Sequence, residues 1–289
     1  MMNARLDPPT VGIKPLRVVI DGRNQDLIEV IDRGLQYGDG LFETIRIHAG
    51  QPCQWRRHLE RLMLGAGRLG IQPPDPGILE AEVLSLTQTL DHGVLKLILT
   101  RGSGGRGYRP PESSAPRRIL LTYPLPPDPE PSWRTGVRVR YCQTPASMNP
   151  ALAGIKHLNR LDSVLARREW SDPAIAEGLM LDPSGALVGG TMTNVFLWDG
   201  NRLLTPPVEQ SGIAGTVRAL TLELAVQMGI DCLETRLAPA DLEQAHGLFL
   251  TNAIAGIWPV RELAGQRFDL NRLPWILLDR VQQSAHTPG

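Results

Sequence analysis

The chain has 289 residues and a hydrophobic fraction of 42%, which is enough for two domains, each with a buried core. Lys and Arg together number 30, as do Asp and Glu, and this balance argues against nucleic acid or an anionic membrane as a partner. Three scattered cysteines without a Cys/His cluster predict reduced thiols and no metal site, while the lack of a signal-peptide core and of any bilayer-length apolar run predicts a cytoplasmic protein.

Short strand-like runs separated by Gly, Asp and Pro dominate the N-terminal part of the chain. Strands are predicted at 17–22, at 41–52 with a turn at Ala49-Gly50, at 93–102 and at 117–125, and helices are predicted at 54–70 and 78–90. Antiparallel strands with two helices packed on them predict a small α+β domain over residues 1–126.

A proline-rich segment separates the two predicted domains. Residues 124–132 contain five prolines in nine positions, which makes a stiff, extended connector, and we place the linker at 127–132. The larger predicted domain is 133–289. Its predicted helices are 157–170, 215–229 and 273–284, and its predicted strands are 137–143, 177–182, 185–190, 194–199, 201–207 and the first part of 247–260. This pattern indicates a strand-rich core covered by helices.

One lysine has an unusual setting. The chain has only three lysines, Lys14, Lys96 and Lys156, although arginine is abundant. Lys156 lies in GIKHLNRL among apolar and amide neighbours, at the predicted start of a helix, where the helix dipole disfavours a cation. A solvated surface lysine is the ordinary explanation. The functional explanation is an amine whose pKa is lowered by desolvation, as Schiff-base chemistry requires.

Two glycine-containing segments could bind anions. In EQSGIAGTVRAL (209–220), small residues precede a well-patterned helix, so backbone N–H groups could face a phosphate, although a simple helix start also explains the pattern. RGSGGRGYRPP (101–111) carries arginines on a Gly-rich loop, which suits carboxylate binding or an exposed, solvated loop. Neither segment has P-loop spacing, and the chain has no dinucleotide-binding fingerprint.

Taken in order, several motifs resemble those of the fold-type IV pyridoxal phosphate enzymes, the class of branched-chain and D-amino acid aminotransferases and of 4-amino-4-deoxychorismate lyase. These motifs are DRGLQYGDGLFET (32–44), HLERL (58–62), GIKHLNRL (154–161), GTMTNVFL (190–197), SGIAGTVR (211–218) and LTNAIAGIWPV (250–260). The resemblance covers roughly 30–262. It implies an α+β fold of two domains, a small α/β sandwich and a larger strand-rich pseudo-barrel with helices, and a homodimer with active sites at its interface.

The resemblance also implies pyridoxal 5'-phosphate as the cofactor and a set of site residues. Lys156 would be the catalytic residue and would carry the cofactor as a Schiff base. The other cofactor-binding residues would be Arg61, Thr216 and Val217, which hold the phosphate, and Asn252 in the last active-site loop. Arg106, Tyr108 and Arg46 would be candidates for binding a substrate carboxylate.

Two segments are more similar to the lyase than to the aminotransferases. They are RGSGGRGY (101–108) and KHLNRL (156–161), the latter with its Asn159-Arg160 pair. The implied reaction converts 4-amino-4-deoxychorismate to 4-aminobenzoate and pyruvate, a step toward folate. One alternative is a D- or branched-chain amino acid aminotransferase. Another is a cofactor-binding protein with weakened catalysis that acts in regulation or as a scaffold.

One position departs from the pattern of the class. Its strand normally carries a glutamate that pairs with the pyridine nitrogen of the cofactor, and this chain has Gly189 there, in LVGGTMTN. No acid in 186–198 takes over, and Asp199 lies beyond a strand. Loss of one preorganised charge partner slows catalysis by roughly 10²–10³-fold. The sequence therefore predicts cofactor binding with reduced catalytic power.

Overall fold

A computed structural model of the protein describes residues 14–127 and 133–288, and the following elements belong to those ranges. The helices are α1 (Arg33–Tyr37), α2 (Trp55–Leu69), α3 (Pro76–Thr87), α4 (Leu161–Arg167), α5 (Thr216–Gln227), α6 (Pro239–Glu243) and α7 (Trp275–Ala285). The strands of the first sheet are β1 (Arg17–Ile20), β2 (Gly40–His48), β3 (Gln51–Pro52), β4 (His92–Thr100) and β5 (Arg117–Tyr123). The strands of the second sheet are β6 (Val137–Tyr141), β7 (Ile175–Leu181), β8 (Leu187–Gly190), β9 (Asn194–Trp198), β10 (Leu203–Thr205), β11 (Cys232–Glu234), β12 (Gly247–Asn252), β13 (Gly256–Leu263) and β14 (Gln266–Arg267).

The first sheet is antiparallel throughout, in the order β1-β5-β4-β2-β3. Along β2 alternate residues are buried, which is the period-two pattern of a strand with one face on a core. Helix α2 covers that face with Trp55, Leu62 and Ala66, whose spacing follows the helical repeat. Asp75 caps the start of α3, which has a proline in its first turn.

The second sheet is mixed, in the order β11-β10-β9-β12-β13-β6-β7-β8, with β14 paired to β13. Strand β6 runs parallel to both β13 and β7, whereas β12 pairs antiparallel with both β9 and β13. Helices α5 and α7 pack together on this sheet around Phe196 and Phe249, whose rings stack at a centroid distance of 5.0 Å. This arrangement confirms the predicted α+β fold with a strand-rich second part.

The segment that carries Lys156 differs from its prediction. A helix was expected over 157–170, but α4 begins only at Leu161. Residues 156–158 pair with β2 instead, because Phe42 N–H donates to the Lys156 carbonyl (2.9 Å) and Leu158 N–H donates to the Gly40 carbonyl (3.0 Å). These bonds hold the segment extended. The helix-dipole argument for Lys156 was therefore wrong, since the lysine lies five residues before the helix.

The boundary between the predicted domains is described only in part. Residues 128–132 of the predicted linker lie outside the described residues, so the limits 1–126, 127–132 and 133–289 stay a prediction. In the described ranges no helix combines the length and apolar character that crossing a bilayer requires.

Candidate active site

A cavity of about 1010 Å³ is lined by residues from both sheets and from the loops between them. Six of the eight predicted site residues line it, namely Arg46, Arg61, Lys156, Thr216, Val217 and Asn252. They come from β2, α2, the 154–158 segment, the start of α5 and the end of β12. The cavity therefore brings together motifs that are up to about 200 residues apart in the chain.

Lys156 is held rigidly at its backbone and has an apolar setting at its amine. Gly154, two residues earlier, donates to the Gly212 carbonyl (3.0 Å) and accepts from Ala214 N–H (2.9 Å). The Lys156 Nζ lies 4.2 Å from the centroid of the Phe42 ring. Burial and the nearby Arg61 guanidinium lower the pKa of Lys156 to about 7. An amine in this state is a nucleophile near neutral pH.

A buried carboxylate connects Arg61 with a histidine that the sequence analysis did not single out. Glu43 on β2 accepts from Arg61 Nε (2.8 Å) and Nη2, and from His58 Nδ1 (2.7 Å). Burial alone would raise the pKa of Glu43, but Arg61 and His58 outweigh it and hold that pKa at about 2. Burial lowers the pKa of His58, so its ring is neutral and donates to the carboxylate.

The same residues contact the start of α5. Arg61 Nη1 donates to the Ala214 carbonyl (2.9 Å), and His58 Nε2 lies 3.5 Å from Thr216 Oγ1. The first-turn N–H groups of a helix have no acceptor within it, and in the described part of the chain no side chain caps those of α5. With a guanidinium beside them, these N–H groups form a site that suits a phosphate.

Arg46 and Asn252 meet at the loop that follows β12. Asn252 Oδ1 accepts from Ile254 N–H (2.9 Å) and Ala255 N–H (2.8 Å), and so it shapes the turn between β12 and β13. Arg46 Nη1 donates to the Ile254 carbonyl (2.7 Å). Both side chains thus fix this loop against β2, at one wall of the cavity.

Arg106 and Tyr108 are not among the residues that line this cavity. Both are exposed, and Tyr108 has 85% of its surface accessible. Their loop is nevertheless held in place, because Arg33 donates to the carbonyls of Gly107 and Tyr108 (3.0 Å each) and Tyr37 accepts from Gly107 N–H (3.2 Å). The predicted substrate contact of these two residues is therefore not made within the cavity of the same chain.

Gly189 lines the cavity, and there is little room for a side chain on it. A Cβ at Gly189 would lie 2.8 Å from the Thr193 carbonyl oxygen, so a larger residue requires the backbone to shift. A buried acid, Glu177, lies close by on the neighbouring strand β7. The sequence around Gly189 did not indicate it. Glu177 accepts from the N–H groups of Thr191 and Met192 (3.1 Å each) and from the hydroxyls of Thr191 (2.6 Å) and Thr193 (3.1 Å).

Glu177 lies behind the cavity wall. Its Oε2 is 2.7 Å from the point that a Cβ on Gly190 would occupy. Burial raises the pKa of Glu177 against the effect of its hydrogen-bond donors. The carboxylate orders residues 190–193 and is not itself part of the cavity lining.

Comparison with known proteins gives consistent similarities. The chain is 31% identical over 268 residues to an aminodeoxychorismate lyase from Vibrio harveyi, covering 93% of this chain and 99% of the relative. It is 32% identical over 262 residues to a putative branched-chain-amino-acid aminotransferase from Methanocaldococcus jannaschii, covering 87% and 89%. The crystal structure of 4-amino-4-deoxychorismate lyase from Pseudomonas aeruginosa superposes with a TM-score of 0.89 at 44% identity, covering 93% of this chain and 100% of that one.

The family model for class IV amino-transferases matches residues 40–263. The match includes β2, α2, the Lys156 segment, the start of α5 and the loop after β12, which are the elements that line the cavity. The predicted resemblance is thus confirmed, and the chain belongs to the class IV amino-transferase family.

Proposed function

We propose that this protein is a pyridoxal phosphate-dependent lyase that converts 4-amino-4-deoxychorismate to 4-aminobenzoate and pyruvate. The observation that carries the proposal is Lys156, an amine with a pKa of about 7 in a cavity whose lining has more basic than acidic side chains. Among the described residues, the cationic lining side chains are Arg46, Arg61, Lys156, Arg160, Arg167 and Arg218, against a single acid, Asp162. Such a cavity suits a phosphorylated cofactor and a substrate with two carboxylates.

The residues of the cavity fit the cofactor. Arg61 and the first-turn N–H groups of α5, at Thr216 and Val217, would hold its phosphate, and Lys156 would attach to it covalently. When bound, the cofactor supplies an electron sink for a carbanion next to the amine. Asn252 would support this site through the loop it orders, and Arg46 would face the substrate.

Once the amine of the substrate has taken its place, Lys156 would be free to act as the general base of the reaction. It would remove the proton from the amine-bearing ring carbon of the substrate, and loss of the enolpyruvyl group would leave the ring aromatic. The protonated amine of Lys156 can return a proton to the departing enolpyruvate. Its lowered pKa helps both steps, because a group that titrates near neutral pH both accepts and releases protons readily.

The direct test is formation of 4-aminobenzoate from 4-amino-4-deoxychorismate by the purified protein loaded with pyridoxal phosphate. Native protein should form both products without a 2-oxo acid, and Lys156→Ala should lose both turnover and the visible absorbance of the bound cofactor. Product formation by Lys156→Ala at the native rate would overturn the proposal.

The similarity to a putative branched-chain aminotransferase favours a second candidate, an amino acid aminotransferase with the same cofactor. The two activities differ in their substrates, because an aminotransferase requires a 2-oxo acid acceptor and makes a new amino acid. A rate that depends on added 2-oxo acid, with no 4-aminobenzoate formed, would select the aminotransferase. If neither reaction occurs although the cofactor binds, Gly189 points to a cofactor-binding protein without significant catalysis.

We also propose a homodimer in the cytoplasm. Exposed apolar side chains cluster on two segments that contact each other, residues 27–37 and 103–108, and a second copy of the chain would cover them. Arg106 and Tyr108 lie on this surface, so in a dimer they could reach the cavity of the partner subunit.

A reducing compartment suits the buried thiols of Cys53 and Cys142, which are not paired.

A further inference from the structure

The cationic side chains of the cavity differ in how their charge is compensated. Arg61 is paired with Glu43 and Arg218 with Glu234, so each has a carboxylate partner. Arg167 donates to the Trp170 carbonyl (2.9 Å) and lies 4.5 Å from the centroid of that ring. Arg46, which donates to the Ile254 carbonyl, and the partly buried Arg160 are the remaining guanidinium groups of the lining, and neither has a carboxylate partner among the described residues.

Among the described residues, the Arg160 guanidinium hydrogen-bonds to His157. Its Nε donates to the His157 carbonyl (3.1 Å), and its Nη2 contacts the His157 ring at Nε2. In the described part of the chain, no carboxylate lies within ion-pair distance of Arg160. Asp162, two residues on, accepts from the N–H groups of Ser147 (3.2 Å) and Ser163 (2.7 Å). The carboxylate nearest in sequence is therefore occupied by backbone donors.

His157 does not neutralise this charge. Burial and the adjacent guanidinium lower the pKa of His157 to about 4, so the ring is neutral and its Nε2 accepts from Arg160. Burial also lowers the pKa of Arg160, against the longer-range attraction of Asp162. Arg160 and His157 together carry one net positive charge. Both line the cavity, and His157 directly follows Lys156 in the chain. A partly desolvated guanidinium of this kind gains most from a carboxylate.

We propose that Arg160 and His157 form a carboxylate-binding subsite in the cavity, with Arg160 binding a substrate carboxylate and His157 holding the guanidinium in position. The identity of the substrate in this proposal rests on the proposed function. The expectation that the subsite binds a carboxylate does not. It is distinct from the predicted phosphate site in its bonding, because Arg61 hydrogen-bonds to Glu43 and to the Ala214 carbonyl, whereas Arg160 hydrogen-bonds to His157. A planar guanidinium can bind a carboxylate bidentately, which fixes the orientation of the substrate relative to Lys156.

The subsite is tested by binding of a matched pair of probes to the cofactor-loaded protein. The pair is 4-aminobenzoate and 4-aminobenzamide, which differ in a charged carboxylate and a neutral amide. Calorimetry on native protein should show tighter binding of the carboxylate, and Arg160→Gln should weaken its binding by about 10- to 100-fold while leaving the amide unchanged. Arg160→Lys should weaken it less, because the charge is retained.

Arg168→Gln is the matched control, because Arg168 is an exposed arginine that does not line the cavity. It should bind both probes like native protein. The thermal midpoint and the visible spectrum of bound cofactor should be native in all three variants, which separates the subsite from folding and from the phosphate site.

The outcomes distinguish the subsite from the proposed function. If native protein binds the two probes equally, or if Arg160→Gln weakens both or neither, the subsite is wrong. If carboxylate discrimination depends on Arg160 but no 4-aminobenzoate is formed from the proposed substrate, the subsite stands and the lyase function fails. If product forms at the native rate and KM in Arg160→Gln, the function stands and the subsite fails.

Discussion

Lys156 is the residue whose environment most directly determines the chemistry of the cavity. Its amine faces the Phe42 ring, and the segment around it is bonded to β2 and to the loop before α5. Burial and Arg61 make the protonated form unfavourable, which is why the pKa falls to about 7 from an ordinary value of 10.5. Burial of the protonated amine should therefore lower the free energy of unfolding of the cofactor-free protein.

Replacing Lys156 with Met should stabilise the cofactor-free protein, and more so at pH 6.5 than at pH 10. In the unfolded chain this lysine stays protonated up to about pH 10.5, whereas in the folded protein it loses its proton near pH 7. The unfolded state therefore binds more protons between pH 7 and 10.5, and native stability rises with pH across that window. Denaturant unfolding should show a gain for Lys156→Met of roughly 2–4 kcal/mol below pH 7 that fades toward pH 10. A gain that does not vary with pH would contradict the lowered pKa.

Substitutions at Gly189 test whether strand β8 tolerates a side chain at this position. Gly189→Glu and Gly189→Gln should each cost about 1–3 kcal/mol of stability, because the new Cβ comes within 2.8 Å of the Thr193 carbonyl. Gly67→Ala is the control, since a Cβ there meets nothing within 4 Å and helix propensity favours alanine. We expect no rise in turnover for Gly189→Glu. Higher turnover for the Glu variant than for the Gln variant would show that the ring nitrogen lacks a partner that a carboxylate can supply.

At the residue scale, the local sequence shows which side chains have unusual chemistry but not which are brought together. Lys156 and Arg61 were predicted from motifs, and both line the cavity. Glu177 was missed because β7–β8 pairing brings it to the loop after Gly189. Arg160 was noted only as part of a motif, because its lack of a carboxylate partner depends on where Asp162 and Ser147 lie in three dimensions.

At the scale of elements, a chain of hydrogen bonds links Glu43 on β2, through α2, to the start of α5. His58 and Arg61 lie three residues apart on one face of α2, and both reach Glu43 on β2 and the segment 214–216. The first sheet and the start of α5 are thereby tied together at the predicted phosphate site. The motif HLERL thus supplies both residues of this connection, His58 and Arg61.

Replacing His58 with Ala should weaken cofactor binding without abolishing it. The change leaves Glu43 with one donor fewer and removes the ring next to Thr216, while Arg61 keeps its carboxylate partner. We expect an affinity for pyridoxal phosphate about tenfold lower, corresponding to roughly 1.4 kcal/mol, measured by spectral titration. His58→Gln, which keeps a donor for Glu43, should recover part of the loss.

His92→Ala serves as the control for this substitution, since the His92 side chain is half exposed and, among the described residues, lies against Asp91 and the ring of His48, away from α2 and α5 in the chain. It should leave the affinity unchanged. Equal losses in His92→Ala and His58→Ala would mean that the effect is not specific to the connection between α2 and α5.

Periodicity predicted most elements of the fold, and its one clear error is informative. The residues 157–160 have helix-compatible spacing, but hydrogen bonds from β2 hold them extended, so a long-range pairing overrides the local preference. The short elements α1, α6, β11 and β14 were not predicted, because two to five residues carry too little pattern. The error also matters for function, since the extended segment is what presents Lys156 to the cavity.

Over the whole molecule, alternation and turn signals predicted an α+β chain with a strand-rich second half, and the structure has that architecture. What they could not predict is the order of strands, because β6 lies between β7 and β13, and its pairing with β13 joins Val137 to Val260, which are more than 100 residues apart. The position of the cavity follows from that order. Only the family motifs, which carry three-dimensional information from relatives, placed its residues in advance.

The association of two chains is the remaining prediction at this scale. Leu27, Val30 and Leu35 are 80%, 78% and 61% exposed, which is unusual for large apolar side chains on segments held in fixed positions. Arg33 and Tyr37 fix Tyr108 beside them. Burial of this surface against a second copy would favour a dimer through the hydrophobic effect.

Leu35→Glu should convert the protein to a monomer, because a charge at the centre of an apolar interface loses its solvation on association. Sedimentation analysis at micromolar concentration should show half the native mass, with an unchanged thermal midpoint for the folded chain at low concentration. Ile276→Glu is the matched control, since Ile276 is equally apolar and 80% exposed but lies on α7. A dimer that survives Leu35→Glu but dissociates in Ile276→Glu would move the interface to α7. In that case Arg106 and Tyr108 would stay far from any cavity, and binding of the substrate carboxylates would depend on the residues of one chain alone.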